Sequence, residues 1–368
     1  MTETIQQSKK KPNPVKVPDT MKACLFYGPG DIRYETVETP KINENEVLVK
    51  IQSGMTCGTD LKTFKRGHPV LIKTLPSAFG HQFSGIVADV GNNVKNFHEG
   101  QRIVAVNTAP CFNCFFCKKS EYSLCENLEF LNGAYGEYIA LPERIVKYNT
   151  YEIPEEISFE EAAMLETFSV VMHGFEKSKI SSGMNVCVVG TGAIGLIFAA
   201  LSRLAGANVI SIGRTPDKLN LAKELGARSI INMDNFEEQK SEIIGKVREL
   251  TSGYGPDVVI EAVGLPETWV LATELVRKGG LVNFFGGCKK GVKIEIDTYK
   301  LHYGETKLVG VFHHTPHHVK KALDFMRDKN KSMEIFKKLI THKIRLEKLK
   351  DAFILQESGK AVQIAIIP

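Results

Sequence analysis

Residues 185–195 read NVCVVGTGAIG, an apolar run followed by three glycines at the spacing GxGxxG. The apolar run predicts a buried strand and the residues after it a helix, so the glycines stand at a strand–turn–helix junction. Gly190 allows the tight turn, Gly192 lets the backbone approach a pyrophosphate, and Gly195 lets helix and strand pack closely. The free N–H groups at the start of that helix attract phosphates. The junction therefore predicts a dinucleotide site, and a glycine-rich turn without a ligand is the alternative.

On both sides of this junction, between about Phe159 and Phe285, strands alternate with helices. The predicted strands are Asn185–Val189, Asn208–Ile212, Ser229–Ile231, Asp257–Glu261 and Leu281–Phe285. The predicted helices are Glu160–Lys177, Ile194–Leu204, Asp217–Leu225, Phe236–Thr251 and Pro266–Val276. This alternation is typical of an α/β doubly wound fold, in which helices cover both faces of a parallel sheet.

The chain before this region has a different pattern. From Met21 to about Lys147, β-branched runs alternate with Gly, Pro and Asn turns, which predicts a β-rich region. Residues 1–20 are polar and predict a flexible tail. A chain of 368 residues is long enough for two domains.

Composition excludes several classes of partner. The longest apolar runs are far shorter than the ~20 residues of a membrane span, so we expect no membrane partner. The formal charge of +5 forms no basic stripe, so we expect no nucleic-acid partner. The first residues contain no apolar core of signal-peptide type, and a cytoplasmic location is therefore expected.

Four of the eight cysteines crowd into one short segment with the spacing C-x2-C-x2-C-x7-C, at Cys111, Cys114, Cys117 and Cys125. In a reducing compartment such a cluster usually binds metal rather than forming disulfides. Four thiolates complete the tetrahedral shell of Zn²⁺, so the segment predicts a structural zinc site. An iron–sulfur cluster is one alternative, but the bacterial ferredoxin spacing ends in x3 rather than x7. A nucleic-acid-binding zinc module is the other, and the basic flanks that it needs are thin.

A second, looser set of ligand types consists of Cys57, in Cys57-Gly58-Thr59-Asp60, and His81, in Gly80-His81-Gln82. A catalytic zinc keeps three protein ligands and one open position, and two ligands of the right type are present here. Simple packing is the alternative for an isolated Cys or His. The dinucleotide junction and the four-cysteine segment in the same chain favour the metal.

These motifs stand in one order along the chain, together with Leu165-Glu166 and the ending Lys360-Ala361-Val362. From Met21 to Pro368 the chain resembles the zinc-dependent medium-chain dehydrogenase/reductase superfamily (the alcohol dehydrogenase superfamily), and within it the polyol and threonine dehydrogenase branch, which includes sorbitol dehydrogenases. The resemblance implies a GroES-like catalytic domain, split in sequence around a Rossmann domain that binds the cofactor. The implied boundaries are residues 1–20 for the tail, 21–167 for the GroES-like domain with a zinc lobe at 108–126, 168–311 for the Rossmann domain, and 312–368 for the segment that completes the catalytic domain.

The resemblance also implies roles for individual residues. Cys57 and His81 match the catalytic zinc ligands of the family, and Glu166 matches a third position that binds zinc directly or through water. Thr59 matches the hydroxyl that passes on the substrate proton. Zinc would polarise the alcohol or carbonyl oxygen while hydride moves between the carbinol carbon and the nicotinamide.

Two residues depart from the family pattern. The residue after the zinc histidine is normally Glu and is here Gln82, and the branch's His three residues beyond the relay hydroxyl is here Lys62. A neutral Gln82 leaves the zinc with one negative charge fewer, which predicts a stronger Lewis acid that is held less tightly. Lys62 either ends the proton relay at solvent or is an ordinary surface lysine.

The cofactor preference follows from Gly213-Arg214-Thr215, at the end of the predicted strand Asn208–Ile212. NAD enzymes carry Asp or Glu there, to bind the ribose 2′-hydroxyl. Here the acid is absent and Arg214, with Thr215 and Lys218, can grip a 2′-phosphate, which predicts NADP(H) in preference to NAD(H). The alternative is that Arg214 stacks on adenine and both cofactors are accepted. The predicted cofactor residues are Gly190, Gly192, Ala193, Ile194, Gly195, Arg214, Thr215 and Lys218, with Phe285 and Val311 added at the nicotinamide by the resemblance.

The remaining histidines and cysteines are assigned to background roles. Thr315-Pro316 resembles a helix start, which places two His pairs at a loop-to-helix junction. For these pairs, lining of the substrate cleft is favoured over a second metal site. The residues concerned are His313, His314, His317 and His318. A structural role is expected for His173, and packing for Cys24, Cys187 and Cys288.

The sequence as a whole predicts a zinc-dependent NADP(H) oxidoreductase, an alcohol or polyol dehydrogenase with two zinc ions per chain. A small-molecule alcohol, polyol or carbonyl compound is the expected substrate, and the resemblance implies a homodimer or homotetramer. The alternative is a non-catalytic NADPH-binding protein of the same fold that lacks the catalytic zinc, and Gln82 is the residue that supports it.

Overall fold

A computed structural model describes residues 16–68, 71–235 and 239–368 of the chain. Residues 1–15 of the predicted tail (residues 1–20) lie outside the described ranges. The first three residues of the helix predicted from Phe236 also lie outside them. Within the described ranges no helix combines the length and the apolar character that crossing a bilayer requires.

The first part of the chain forms antiparallel sheets. Its strands are β1 (Thr20–Gly28), β2 (Asp31–Glu38), β3 (Val47–Met55), β4 (Ser77–Ala78), β5 (Gln82–Val90), β6 (Arg102–Val106), β7 (Thr108–Ala109), β8 (Glu129–Phe130), β9 (Tyr138–Leu141) and β10 (Thr150–Glu152). Its helices are α1 (Gly58–Arg66), α2 (Phe115–Lys118) and α3 (Glu143–Tyr148). β3 lies at the centre, where it pairs antiparallel with both β5 and β9. The side chains of β3 are buried along nearly their whole length, since the strand is covered on both faces.

The second part alternates helices and strands. Its elements are α4 (Phe159–Ala163), α5 (Leu165–Ser178), β11 (Asn185–Val189), α6 (Ala193–Leu204), β12 (Asn208–Gly213), α7 (Pro216–Glu224), β13 (Ser229–Asn232), α8 (Gln239–Leu250), β14 (Val258–Glu261), α9 (Pro266–Leu275), β15 (Leu281–Phe284), α10 (Thr298–Tyr303) and β16 (Lys307–Gly310). The strands form one six-stranded parallel sheet in the order β13-β12-β11-β14-β15-β16. This order is that of the Rossmann fold, and the predicted fold class is confirmed. The strand order reverses between β11 and β14, so a ligand crevice is expected at their carboxyl ends.

The end of the chain returns to the first part. It contains α11 (Pro316–Arg327), α12 (Lys329–Leu339), β17 (Ile340–Arg345), α13 (Leu349–Glu357) and β18 (Gln363–Ile367). β18 pairs parallel with β17 and antiparallel with β3, where Ala365 is the partner of Met55. The seven-stranded sheet of the β-rich part is therefore built from both ends of the chain, while the domain boundaries given above remain a prediction.

The sequence predicted one continuous helix over Glu160–Lys177, and this prediction is wrong. The structure has two helices there, α4 and α5, which meet at Met164. α4 begins with a capping box, in which Ser158 and Glu161 bind each other's backbone N–H groups. The break at the fully buried Met164 starts α5 afresh, and Glu166 then lies in the first turn of the new helix.

Candidate active site and zinc-binding lobe

The four clustered cysteines lie close enough together to share one metal ion. Their Sγ atoms are all within 4.8 Å of one another, and the Cys111–Cys117 and Cys114–Cys125 pairs are each 4.0 Å apart. Tetrahedral Zn–S bonds of about 2.3 Å place sulfurs about 3.8 Å apart, so this quartet fits a zinc ion with little rearrangement. The described residues form no disulfide with these thiols, which are all free.

Two of the four thiols have pKa values shifted in opposite directions. The backbone N–H groups of Asn113 and Cys114 lower the pKa of Cys111 to about 6. Burial raises the pKa of Cys117 to about 12. A metal ion must therefore displace a proton from Cys117, which makes zinc binding by the lobe dependent on pH. The ring of Phe112 packs 4.3 Å from Tyr148 of α3 and holds the lobe against the β-rich part.

A thiol and an imidazole meet where the sequence predicts the catalytic zinc. Cys57 is the N-cap of α1, and its thiol lies near enough to His81, just before β5, to raise the pKa of that imidazole. Nδ1 of His81 lies 2.7 Å from Oδ1 of Asp60, and the Tyr135 hydroxyl donates to Oδ2 of Asp60 at 2.7 Å. Carboxylates commonly orient a metal-binding histidine in this way and leave its other nitrogen for the metal. The donors at Cys57 and His81 therefore fit a zinc ion.

The Asp60 carboxylate helps to raise the pKa of both its hydrogen-bonding partners. Burial lowers the pKa of His81, but the Asp60 carboxylate and the Cys57 thiol outweigh burial and raise this pKa well above its usual value. Burial and the same carboxylate raise the pKa of Tyr135 well above its usual value, so its hydroxyl keeps its proton and donates. Neither Asp60 nor Tyr135 was predicted as a site residue, although Asp60 closes the Cys57–Asp60 motif.

Gln82 connects this pair to α5. It is almost fully buried; its Nε2 donates to Oε2 of Glu166 at 2.6 Å, and its Oε1 accepts from the Thr167 hydroxyl at 3.1 Å. Burial raises the pKa of Glu166, while the charge of His81 and the bond from Gln82 act against that rise. A glutamate at position 82 would set two carboxylates against each other. The neutral residue at 82 is thus complementary to the acid at 166.

Glu166 also lies beside two of the histidines that follow β16. One ligand atom each from Glu166, His313 and His314 lies within 4.8 Å of the other two. Oγ1 of Thr108 lies 2.7 Å from Nε2 of His313 and 3.3 Å from Nε2 of His314. The structure therefore brings this His pair to a carboxylate. The grouping of Cys57, His81 and Glu166 around one zinc remains a prediction.

The glycine junction has the geometry that a dinucleotide requires. Gly190 has φ +111°, a backbone conformation that residues with a side chain rarely adopt. A Cβ at Gly195 would lie 1.9 Å from the Gly190 carbonyl oxygen, so only glycine fits there. Gly192 is the N-cap of α6, and nothing lies within 4 Å of a Cβ built there. The space in front of Gly192 therefore fits a phosphate group at the helix N-terminus. Ala193 and Ile194 form the first residues of that helix.

The residues expected at the ribose stand after β12. Arg214 is exposed, and its Nε lies 3.7 Å from Oδ1 of Asp234, which is also exposed. Thr215 is the N-cap of α7 and Lys218 is half-buried on that helix, where burial lowers its pKa. Asp234 was missed by the sequence analysis, since it follows a different strand and its proximity to Arg214 depends on the parallel sheet.

The residues expected near the nicotinamide flank the other side of the crevice. Phe285 follows β15 and packs edge-on against Phe198 of α6, with ring centroids 5.0 Å apart. The backbone N–H of Val311 donates to the Phe284 carbonyl oxygen at 3.4 Å. Both residues extend from the parallel sheet at the carboxyl ends of its strands.

α1 carries the two remaining residues of interest, Thr59 and Lys62. Thr59 lies in the first turn, next to Cys57, and Lys62 is exposed one turn later. The charge of Lys62 acts on Glu261, whose pKa is raised chiefly by burial. Glu261 ends β14, is fully buried, and accepts from the backbone N–H groups of Val263 and Gly264. Glu261 could not be singled out from the sequence, because the pattern around it is that of an ordinary strand end.

A parallel sheet with a dinucleotide-type turn, a thiol–imidazole pair and a four-cysteine lobe together define an oxidoreductase of the dehydrogenase class. Two family models agree with this: an alcohol dehydrogenase GroES-like domain matches residues 43–154, and a zinc-binding dehydrogenase domain matches residues 193–328. The chain belongs to the zinc-dependent medium-chain dehydrogenases and is polyol dehydrogenase-like.

Individual relatives are similar over almost the whole chain. A sorbitol dehydrogenase of Bombyx mori is 30% identical, over 94% of this chain and 97% of its own. A sorbitol dehydrogenase of Bacillus subtilis is 29% identical, over 96% and 98%. One similar solved structure is that of a protein from Sinorhizobium meliloti 1021, described as a zinc-binding dehydrogenase and bound to NADP. Its TM-score is 0.86 and its sequence identity 28%, over 95% of this chain and 100% of its own. The dehydrogenase names of these relatives do not favour the non-catalytic alternative.

Proposed function

We propose that this chain is a zinc-dependent dehydrogenase that transfers hydride between NADP(H) and an alcohol or polyol. The observation that carries the proposal is the orientation of His81 by Asp60, at 2.7 Å, with the Cys57 thiol nearby. Cys57, His81 and Glu166 would hold the catalytic zinc, and Cys111, Cys114, Cys117 and Cys125 a structural one. When bound, zinc would supply a Lewis acid for the substrate oxygen and the nicotinamide would exchange hydride.

The chain's own residues have defined tasks in this reaction. Asp60 and Tyr135 hold His81 in one orientation, and Gln82 holds the Glu166 carboxylate. Thr59 follows Cys57 by two residues in the first turn of α1, and its hydroxyl would carry the substrate proton outward toward the exposed Lys62. These residues bind and orient, while Gly190, Gly192 and Gly195 make room for the dinucleotide backbone.

The substrate class follows the relatives' names. Sorbitol, L-threonine and D-arabitol phosphate occur in the names of the similar dehydrogenases. The test is an activity screen of the purified chain with NADP⁺ over polyols, polyol phosphates, secondary alcohols and hydroxy amino acids, together with metal analysis. Zinc-dependent reduction of NADP⁺ by at least one class supports the proposal. No activity in a chain that holds only the lobe's zinc would instead support the non-catalytic alternative. A homodimer or homotetramer in the cytoplasm belongs to the same proposal.

Arg214 is expected to determine the cofactor preference. Arg214→Asp removes the guanidinium at the carboxyl end of β12 and adds a charge that repels a 2′-phosphate. We expect catalytic efficiency with NADP(H) to fall about 10- to 100-fold, the worth of one charge-assisted hydrogen bond, with little loss for NAD(H). The measurement is kcat/KM with each cofactor. Lys223→Asp, the same charge change at the exposed end of α7, is the control, and equal losses in both variants would contradict the role of Arg214.

Gln82→Glu tests the charge of the catalytic pocket. The new carboxylate would face Glu166 in place of a donor now at 2.6 Å. Added negative charge favours protonated forms, so it raises the pKa of any group that releases a proton there, and we expect the pH optimum of alcohol oxidation to rise by about one unit. Thr167→Val removes the other hydrogen bond of Gln82 without changing charge and should leave the optimum in place. An unchanged profile in Gln82→Glu would exclude an electrostatic role for this residue.

A further inference from the structure

Glu166, His313 and His314 form a cluster that the proposed reaction does not use as a unit. One ligand atom from each lies within 4.8 Å of the other two. Two imidazoles and one carboxylate make up a known catalytic zinc donor set, the His2Glu set of thermolysin-type proteases. Apart from the cysteine lobe, no other group of three such ligand types lies this close within residues 16–68, 71–235 and 239–368.

Two further observations point to a ligand at this cluster. His314 is 3% exposed, and its Nδ1 is buried without a hydrogen-bond partner in the described part of the chain. A buried imidazole nitrogen without a partner costs free energy unless something binds it. His313 has φ +59°, an uncommon conformation for a residue with a side chain, and such outliers concentrate at functional sites.

Thr108 prepares both imidazoles for a metal. Its Oγ1 lies 2.7 Å from Nε2 of His313 and 3.3 Å from Nε2 of His314. The hydroxyl oxygen has two lone pairs and can accept from both Nε2–H groups. In that tautomer the Nδ1 atom of each ring carries a lone pair that could bind a metal. The Nε2–H group of each ring is hydrogen-bonded to Thr108, as is usual for the second nitrogen of a metal-binding histidine.

We propose that Glu166, His313 and His314 bind a divalent transition-metal ion, zinc in particular, at a position beside the Cys57–His81 pair. The chain would then hold three metal ions: one in the cysteine lobe, one at Cys57 and His81, and one here. The two positions in the pocket share Glu166, whose two carboxylate oxygens can serve different ions. The inference is otherwise independent of the proposed function, because His313 and His314 take no part in the Cys57 site.

Metal content of the full-length chain tests this directly. Wild type, His313→Gln, His314→Gln and Cys57→Ala are each equilibrated with Zn²⁺, dialysed, and analysed by inductively coupled plasma mass spectrometry. We expect three zinc ions per wild-type chain and two in each single variant, with one in the Cys57→Ala/His314→Gln double variant. The lobe's zinc remains in every folded variant and serves as an internal control. If His314→Gln disturbs the buried core, His313→Gln at the less buried ring decides the outcome.

Cobalt substitution identifies which position is lost. Co²⁺ at Cys57 and in the cysteine lobe gives a thiolate-to-metal charge-transfer band, the lobe's share being the same in every variant, whereas Co²⁺ at the histidine position gives none. We expect His314→Gln to keep that band's full intensity while losing one cobalt. The proposal is overturned if both histidine variants hold as many ions as wild type, even when the substrate KM rises, since the histidines then only line the cleft. Retention of all metal in Cys57→Ala would instead contradict the proposed function and leave this site standing.

Discussion

Cys57→Ala is expected to reduce kcat/KM about 1,000-fold or more and to remove the zinc at that position. A Lewis acid contributes several kcal/mol to stabilising the charge on a reacting oxygen, and about 4 kcal/mol corresponds to this factor. The Cys57 thiol is near enough to His81 to raise the pKa of that imidazole, so its loss would remove one of the proposed zinc ligands. The measurements are steady-state kinetics and zinc content of the same preparation.

Cys24→Ala is the matched control for this variant. Cys24 is also a free thiol, is buried in the β-rich part, and donates to the Leu346 carbonyl oxygen at 3.3 Å. Its replacement removes the same atom, so some stability is lost but zinc content and kcat/KM should stay near wild type. Activity that survives in Cys57→Ala would show that hydride transfer does not need this ligand.

Cys117→Ser is expected to unfold the zinc lobe and to destabilise the protein. Structural zinc contributes about 10–16 kcal/mol to the folding of isolated zinc-finger peptides. Even a fraction of this, about 3 kcal/mol, corresponds to a Tm lower by about 5–10 °C. Cys117 is buried and its Sγ lies 4.0 Å from that of Cys111, so a serine hydroxyl cannot replace it as a soft ligand.

Three measurements on Cys117→Ser separate the lobe from the core. Zinc content should fall by one ion per chain, the melting curve should shift down, and limited proteolysis should cut first within residues 108–126. The control is Cys187→Ala, at a fully buried thiol of β11, which should lower Tm without loss of zinc. A Cys117→Ser protein that keeps its zinc and resists cleavage in the lobe would contradict a structural metal there.

The parallel sheet was predictable because its signals are local. The turn at Gly190 and the alternation of strands and helices each lie within a few tens of residues, and the structure has the expected strands within one or two residues of their predicted ends. The pairing of β18 with β3 joins residues about 310 positions apart, and no local pattern contains it. It was expected only from the family resemblance.

The site was predictable where residues share a short motif and not where tertiary folding gathers them. The four-cysteine segment was predicted from its spacing, and Cys57 from its residue type and the family resemblance. Asp234 reaches Arg214 only through the parallel sheet. The His pair was expected to line a cleft, and its proximity to Glu166 arises because the chain after β16 returns to the start of α5. Spacing in the sequence carries no information about such a return.

α5 has a consequence for anyone who recombines this protein with its relatives. The first turn of the helix holds Glu166, which accepts from Gln82, and the helix ends at Ser178, whose hydroxyl accepts from Asn283 in the parallel sheet. A Cβ at Gly174 would lie within 3 Å of the rings of Phe198 and Phe285, so the helix is fitted closely to the nucleotide-binding part. A crossover at residue 167 would therefore take the first turn of α5 from one parent protein and the rest of the helix, with its packing partners, from the other. A chimera is better cut before Ser158, the residue that starts α4, so that the whole of α5 comes from the same parent as Phe198, Phe285 and Asn283.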